Sequence, residues 1–514
     1  MKYGWILLAA LLCAAGPATT DAATSYSRAR TENLEQRFRI LFDKLNVEFS
    51  EKLQGLAQWC AEQGLNEKAT EVWQQAQELN AELQGAAPRG EAAEPDEAKV
   101  RAFEQKRGEL NKSHAIGLYS LGKKCYESGL VGRSYDMVWE MIRYDPDNAT
   151  ARKLLGQVKY EDEWIGRYDA MLRKRGMVFT DTYGWVPKRH LERLEEGYLP
   201  HNGRWTPAEE VEKIRSSWAN AWEYETEHFT IRTNTKLAEA VAFGKVVEEN
   251  YDLFMRVWVS YFSPKNQSTM LFGLSGSTDK MKVNYLATQE EYVKATGMGQ
   301  GTAGVYMSRP GASYFFKTNL AQNIHVLKHE TTHQMFSETK RARYGSKNGA
   351  WLVEAVATYM ETCHRRDGRI ETAGKSSHWV RRFASILKGN GAVPLATFDI
   401  LDYEQFQKVA QVAYPQAASL AHFCMEAEDG KYRERFVEYV RAYYEGKLRS
   451  GKGEMERYLG EPYDVLEHDS CVYVIGEDGL KELEELRNKQ AEEARRKQEE
   501  ALKKQEENQP ALRR

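Results

Sequence analysis

The chain has 514 residues, more than one compact domain accommodates, so two or three are expected. Hydrophobic residues make up 42% and charged residues 29%, enough apolar material for folded cores alongside strongly solvated segments. Lys and Arg number 72 against 75 Asp and Glu, and the net charge of −3 excludes a broadly basic nucleic-acid binder. The 12 Trp, 28 Tyr and 18 Phe exclude a mainly disordered chain.

Residues 1–22 read as a secretory leader. Lys2 gives the positive start, Trp5 to Ala15 an apolar run, and Thr20-Asp21-Ala22 a small residue for cleavage. The run is shorter than the roughly 20 residues that span a bilayer, and no later stretch approaches that length. The mature chain is therefore expected to be exported (periplasmic, secreted or at the cell surface) and to lack a transmembrane segment. Cys60, Cys125, Cys363, Cys424 and Cys471 remain, an odd number without CxxC spacing. They read as buried small hydrophobes, not as a disulfide framework or a cysteine zinc site.

Residues 23–160 carry helical periodicity, beginning with Leu34, Phe38, Leu41, Phe42, Leu45 and Phe49. An internal echo follows. Leu53, Leu56, Cys60, Gly64 and Leu65 recur as Leu118, Leu121, Cys125, Gly129 and Leu130. Each set predicts a helix that ends in a Gly-Leu turn and leads into a second helix, Ala69 to Leu83 and Tyr135 to Tyr144. The two predicted helical hairpins resemble degenerate tetratricopeptide units, separated by a polar loop from Gly85 to Glu97. Such hairpins serve either as a platform for a protein partner or as a spacer packed on the next domain.

Residues 161–215 form a connector with recurring small motifs: Glu163-Trp164, Gly184-Trp185-Val186-Pro187 and Gly203-Arg204-Trp205-Thr206-Pro207. The last predicts a turn and a capped helix, with Thr206 as N-cap, Pro207 first and Glu209 third. Its tryptophans read as pins for short turns, a carbohydrate-binding role being the alternative. From residue 216 to 475 the pattern is mixed. Strands are expected at His228–Thr233 and Thr269–Leu274, and a hairpin joins Gly304–Ser308 to Ser313–Phe316 around Arg309-Pro310-Gly311. Leu237 to Phe262 reads as a helix, and helices dominate from Leu320 to Leu459. Residues 476–514 alternate Glu, Lys, Arg and Gln, a solvated charged helix or a disordered tail. The expected class is α+β and helix-rich, with a small mixed sheet and a mainly helical C-terminal half; the sheet order is not fixed by sequence.

Chemistry concentrates in Asn323 to Phe336, where His329-Glu330-Thr331-Thr332-His333 is an HExxH. On a helix, positions i and i+4 share a face, so both imidazoles can reach one metal, and Glu330 can address a metal-bound water. A catalytic zinc needs a third protein ligand and an open position. Glu354, within the apolar segment Trp351 to Tyr359, follows His333 by 21 residues (354 − 333), room for an antiparallel return. A carboxylate among apolar neighbours is costly unless paired or metal-bound, so Glu354 is the candidate ligand, the alternative being a partly exposed helix glutamate. His325, His329 and His333 would span about 12 Å along the axis, too far to share one ion, so His325 is expected to be packed or to support the ligands from behind.

The segments HETTHQ and WLVEAVATYME resemble the gluzincin metallopeptidases, the thermolysin-like group with HExxH and a distant Glu. They are most similar to a peptidase-MA-like family whose usual motif is HEGTHQ, and the resemblance covers roughly residues 220–475. It implies that His329, His333 and Glu354 bind one Zn2+ per chain and that Glu330 is the general base. It also implies an edge strand at Gly304–Ser308 that pairs with an extended substrate, and a phenol in the AYPQA segment. Tyr414 is the first candidate for the oxyanion donor, His422 the second and an ordinary core tyrosine the alternative. Thr331 stands where that family usually has Gly. Thr358 stands where some thermolysin-like enzymes carry an Asp that orients a ligand histidine, which leaves that orientation unexplained. The leading expectation is an exported zinc metallopeptidase acting on peptides or proteins. A zinc-stabilised scaffold without turnover and a zinc hydrolase of a non-peptide amide are the alternatives, and an intact Glu330 disfavours the scaffold.

Overall fold

The computed structural model describes residues 22–91, 96–263, 270, 272, 279–338, 347–366 and 368–507. It is helix-rich with a small mixed sheet. No helix among the described residues is long and apolar enough to cross a membrane. The leader at 1–22 falls, apart from Ala22, outside the described residues, as does most of the expected strand at Thr269–Leu274. Of that segment Met270 and Phe272 are described, and both pack against the second helical hairpin.

The N-terminal region is two helical hairpins, α1 (Ala22–Glu62) with α2 (Asn66–Leu79) and α3 (Glu97–Glu127) with α4 (Val131–Tyr144), followed by α5 (Ala149–Leu154). The sequence echo has a backbone counterpart. Gly64 and Gly129 both take positive φ, at 77° and 89°. Leu65 N–H reaches the Cys60 carbonyl at 2.8 Å and Leu130 N–H the Cys125 carbonyl at 2.9 Å. This is the turn in which a left-handed glycine lets the chain close back on the last carbonyls of a helix. Val72, Ala76 and Phe103 seal one hairpin; Val131, Val138 and Met141 seal the other.

The connector holds a repeat that the sequence showed only as scattered motifs. Three two-stranded hairpins, β1 (Gln157–Tyr160) with β2 (Glu163–Gly166), β3 (Met177–Thr180) with β4 (Gly184–Pro187) and β5 (Tyr198–His201) with β6 (Arg204–Pro207), are followed by α6 (Arg167–Lys174), α7 (Leu191–Glu195) and α8 (Ala208–Arg215). Trp164, Trp185 and Trp205 occupy the same register position, opposite Lys159, Phe179 and Pro200. Leu194, Leu199 and Val211 join successive units into one small core. The cap expected at Thr206 does not form. Thr206 still pairs with Leu199 in the hairpin, so extended backbone continues to Pro207 and the helix begins at Ala208. Ala208 N–H, the first of the helix, is satisfied by the Gly197 carbonyl at 2.8 Å, and no side chain caps this end.

A five-stranded sheet follows, formed by β7 (Trp222–Glu225), β8 (Phe229–Thr233), β9 (Met281–Leu286), β10 (Gly304–Met307) and β11 (Ala312–Phe316). Its order is β10-β11-β9-β8-β7, parallel at β8/β9 and β9/β11 and antiparallel at both ends, so β10 is an edge strand. Alternation along β8 places Phe229 and Ile231 on one face, where they meet Phe243 and Val247 of α9 (Leu237–Val257). The short α10 (Val259–Phe262) completes the predicted long helix, and α11 (Gln289–Thr296) lies between β9 and β10.

The remainder is helical apart from a small hairpin, β12 (His364–Arg366) with β13 (Arg369–Glu371). Helices α12 (Leu320–Ser337), α13 (Trp351–Thr362), α15 (Leu395–Phe398), α16 (Tyr403–Lys408), α17 (Ala410–Glu426), α18 (Arg433–Tyr444) and α19 (Met455–Leu459) surround the main core, while α14 (His378–Lys388) contributes to a separate small core. The tail, open between helix and disorder in sequence, is helical over its described residues, which form the end of α20 (Tyr463–Glu507), interrupted at Gly476. Leu480 and Leu483 anchor it on Phe383 and Leu387 of α14, and residues 488–501 are exposed. The five described cysteines are buried free thiols.

Candidate metal centre

The HExxH helix is fixed from behind before its histidines face forward. Thr331 is buried, accepts from Asn250 Nδ2 of α9 at 2.6 Å and donates back to the Leu327 carbonyl. Gln334 accepts from Ser313 of β11 at 2.7 Å and donates to the Lys282 carbonyl of β9 at 3.0 Å. Thr331 and Gln334 therefore bolt α12 to α9 and the sheet. The threonine in place of glycine is one of these bolts. With that face committed, His329 and His333 turn toward α13, where Glu354 is 4% exposed among Leu352, Ala355 and Val356.

The three side chains converge. His329 Nε2 and His333 Nε2 lie 3.0 Å apart, and Glu354 Oε2 lies 3.3 Å from the first and 3.6 Å from the second. Donors about 2.0–2.1 Å from a tetrahedral zinc stand about 3.3 Å from one another, so the triangle has the right size. Glu354 Oε2 is buried and accepts no hydrogen bond, an orphaned lone pair beside two converging nitrogens. Among the described residues these three form the one cluster of His, Cys, Asp or Glu whose ligand atoms all lie within 4.8 Å. Two imidazoles and a carboxylate suit zinc, with a position left for water or substrate.

The electrostatics fit a cation. Burial opposes a charge on His329, yet the adjoining Glu354 and Glu361 outweigh it and hold its pKa well above the ordinary imidazole value. Burial likewise opposes ionisation of Glu354, but His333 and His329 hold its carboxyl well below the usual range.

No protein-family model matches the chain, and no curated protein matches it.

Glu330 Oε2 accepts the backbone N–H of Tyr306 at 2.8 Å, which puts the acid of HExxH against the free edge of β10. Tyr414, on α17, is held by Gln407 at 3.3 Å and stacks on Trp379 with ring centroids 6.1 Å apart. Burial raises its pKa first, and the charges of Glu354 and Glu330 add to the rise, so the phenol lies within electrostatic reach of both acids. His422 has other employment: it is fully buried, with Nδ1 2.9 Å from Glu426 and Nε2 3.4 Å from Thr362. His325, expected to be packed or behind the ligands, is exposed instead, because Leu327 and Thr331 occupy the inward face of that stretch.

Sequence missed three residues here. Glu361 Oε1 meets His329 Nδ1 at 2.8 Å, and Glu361 Oε2 accepts from Trp379 Nε1 at 3.0 Å. Glu361 lies seven residues after Glu354 (361 − 354), two turns along the same face, a spacing that was legible. Trp379 had no local signal. Nor did Tyr403 of α16, a half-exposed phenol whose pKa is raised by partial desolvation and by the charges of Glu354 and Glu330.

Proposed function

We propose that this chain is an exported zinc-dependent metallopeptidase of gluzincin type that hydrolyses peptide bonds in peptide or protein substrates. The observation that carries the proposal is the triangle of His329, His333 and Glu354 with Glu330 beside it at a sheet edge. A purely structural zinc site closes on four protein ligands, whereas this cluster supplies three and adds an acid that is not a ligand.

His329, His333 and Glu354 would hold the zinc, which when bound polarises a carbonyl and lowers the pKa of water toward 7. Glu330 acts as proton acceptor and then as proton donor to the leaving amine. The unpaired side of β10 presents backbone groups to an extended peptide and brings a peptide bond past Glu330. Tyr414 contributes a phenol O–H toward developing negative charge on the carbonyl oxygen. The N-terminal helical hairpins, tetratricopeptide-like in their repeat, offer a surface for a protein partner.

Profiling purified protein against a diverse peptide library tests the proposal. Zinc-dependent cleavage that disappears in Glu330→Gln is the expected result. Zinc binding without cleavage of any peptide would remove the peptidase and leave the scaffold or the non-peptide amidase.

A further inference from the structure

His329 has two ring nitrogens, and its Nε2 is committed to the triangle with His333 and Glu354. Its orientation therefore depends on what Nδ1 meets. That partner is the Glu361 carboxylate at 2.8 Å, on a side chain 7% exposed. A carboxylate there takes a proton-bearing Nδ1, which leaves the Nε2 lone pair free to face the centre. The other oxygen of Glu361 accepts the indole N–H of Trp379 at 3.0 Å, so both ends of the carboxylate are tied. Thr358, the position expected to supply an orienting acid, turns its hydroxyl back on the Glu354 and Ala355 carbonyls at 2.6 and 3.1 Å. His333 receives no such support, since its Nδ1 is buried without a partner.

From this geometry we infer that Glu361 and Trp379 are a positioning pair: they fix the ring plane and tautomer of His329 and, through the stack of Trp379 on Tyr414, tie the phenol to the same frame. The orienting carboxylate sits one turn beyond Thr358 and is braced by a residue of α14, outside both motif helices. This inference rests on the proposed metal centre. Glutamine at 361 would have one acceptor oxygen where two donors converge, so it cannot satisfy His329 and Trp379 together. Phenylalanine at 379 would keep an aromatic ring beside Tyr414 while removing the N–H and part of the indole's area, which the metal-free melting temperature accounts for.

The experiment is zinc affinity of the full chain, measured by competition with a chromophoric chelator, for wild type, Glu361→Gln and Trp379→Phe. Melting temperatures of the metal-free proteins and visible spectra of the cobalt-loaded proteins are recorded alongside. Loss of a partner behind a metal histidine weakens affinity about 10–100-fold, so Glu361→Gln is expected in that range and Trp379→Phe near its lower end. Metal-free melting should stay within a few degrees of wild type, and the cobalt bands should shift in the loaded Glu361→Gln protein. Wild-type zinc affinity in both variants, or affinity lost only in step with metal-free stability, overturns the positioning role. A wild-type chain that binds no zinc instead overturns the metal centre, and this inference with it.

Discussion

The backbone N–H of Tyr306 donates to Glu330 Oε2 across 2.8 Å, so the edge strand of the sheet and the acid of the HExxH helix meet directly. In the proposed function, a substrate strand laid along β10 would pass directly by this carboxylate. The contact also fixes which carboxylate oxygen stays free, because Oε2 is held by the strand.

Glu330→Gln follows from this arrangement. Glutamine retains an acceptor for the Tyr306 N–H but cannot take a proton. Turnover of a cleaved peptide is expected to fall by about 10²–10⁴-fold with zinc content unchanged. Steady-state kinetics beside metal analysis decide it, and unchanged turnover removes Glu330 as the base.

Thr331 makes a stability prediction. Valine has nearly its shape but would leave the buried Asn250 Nδ2 without its acceptor. Thr331→Val is expected to cost about 1–3 kcal/mol in urea unfolding. A neutral result would show that the hydroxyl does not bolt α12 to α9.

Asp399 gathers five donors at the junction of the C-terminal helices. Trp351 Nε1 and the Tyr439 hydroxyl reach Oδ1, while the Tyr463 hydroxyl and the N–H groups of Glu454 and Met455 reach Oδ2. Asn at this position would turn an amide N–H₂ toward one set of donors. Asp399→Asn is expected to destabilise by more than about 3 kcal/mol, read as a lowered denaturation midpoint.

His114 carries the pH prediction. Its ring is 4% exposed and stacks on Phe49 at 4.0 Å, and burial pulls its pKa from 6.5 to about 4. Between those values the unfolded chain binds a proton that the folded chain refuses, so stability rises with pH across this window and is lost as pH falls through it. The loss amounts to about 3 kcal/mol by pH 4. His114→Phe keeps the stacked ring and should flatten that part of the stability profile in the helical-hairpin region. An unchanged slope would assign the dependence to other groups.

The convergence of His329, His333 and Glu354 was legible because HExxH and an acid on an apolar helix state their geometry in spacing alone. Glu361 was legible in principle, two turns beyond Glu354, but the expectation looked to Thr358 one turn earlier. Trp379 comes from a separate helix, so nothing local marks its approach. The helical hairpins announced themselves through Gly64 and Gly129, whose left-handed turns recur with the same neighbours. β9 did not, because it pairs in parallel with β8 and β11, and parallel pairs leave no tight turn in the sequence. The three hairpin units of the connector were dispersed by their differing turn residues, although their tryptophans keep one register.

The proposed function stands on one zinc held by His329, His333 and Glu354. Metal analysis of the purified full chain, wild type beside His333→Ala and Glu354→Ala, tests it most directly. About one zinc per wild-type chain and little in either variant is the predicted result. Wild-type protein without zinc, or variants that retain it in full, would contradict the account.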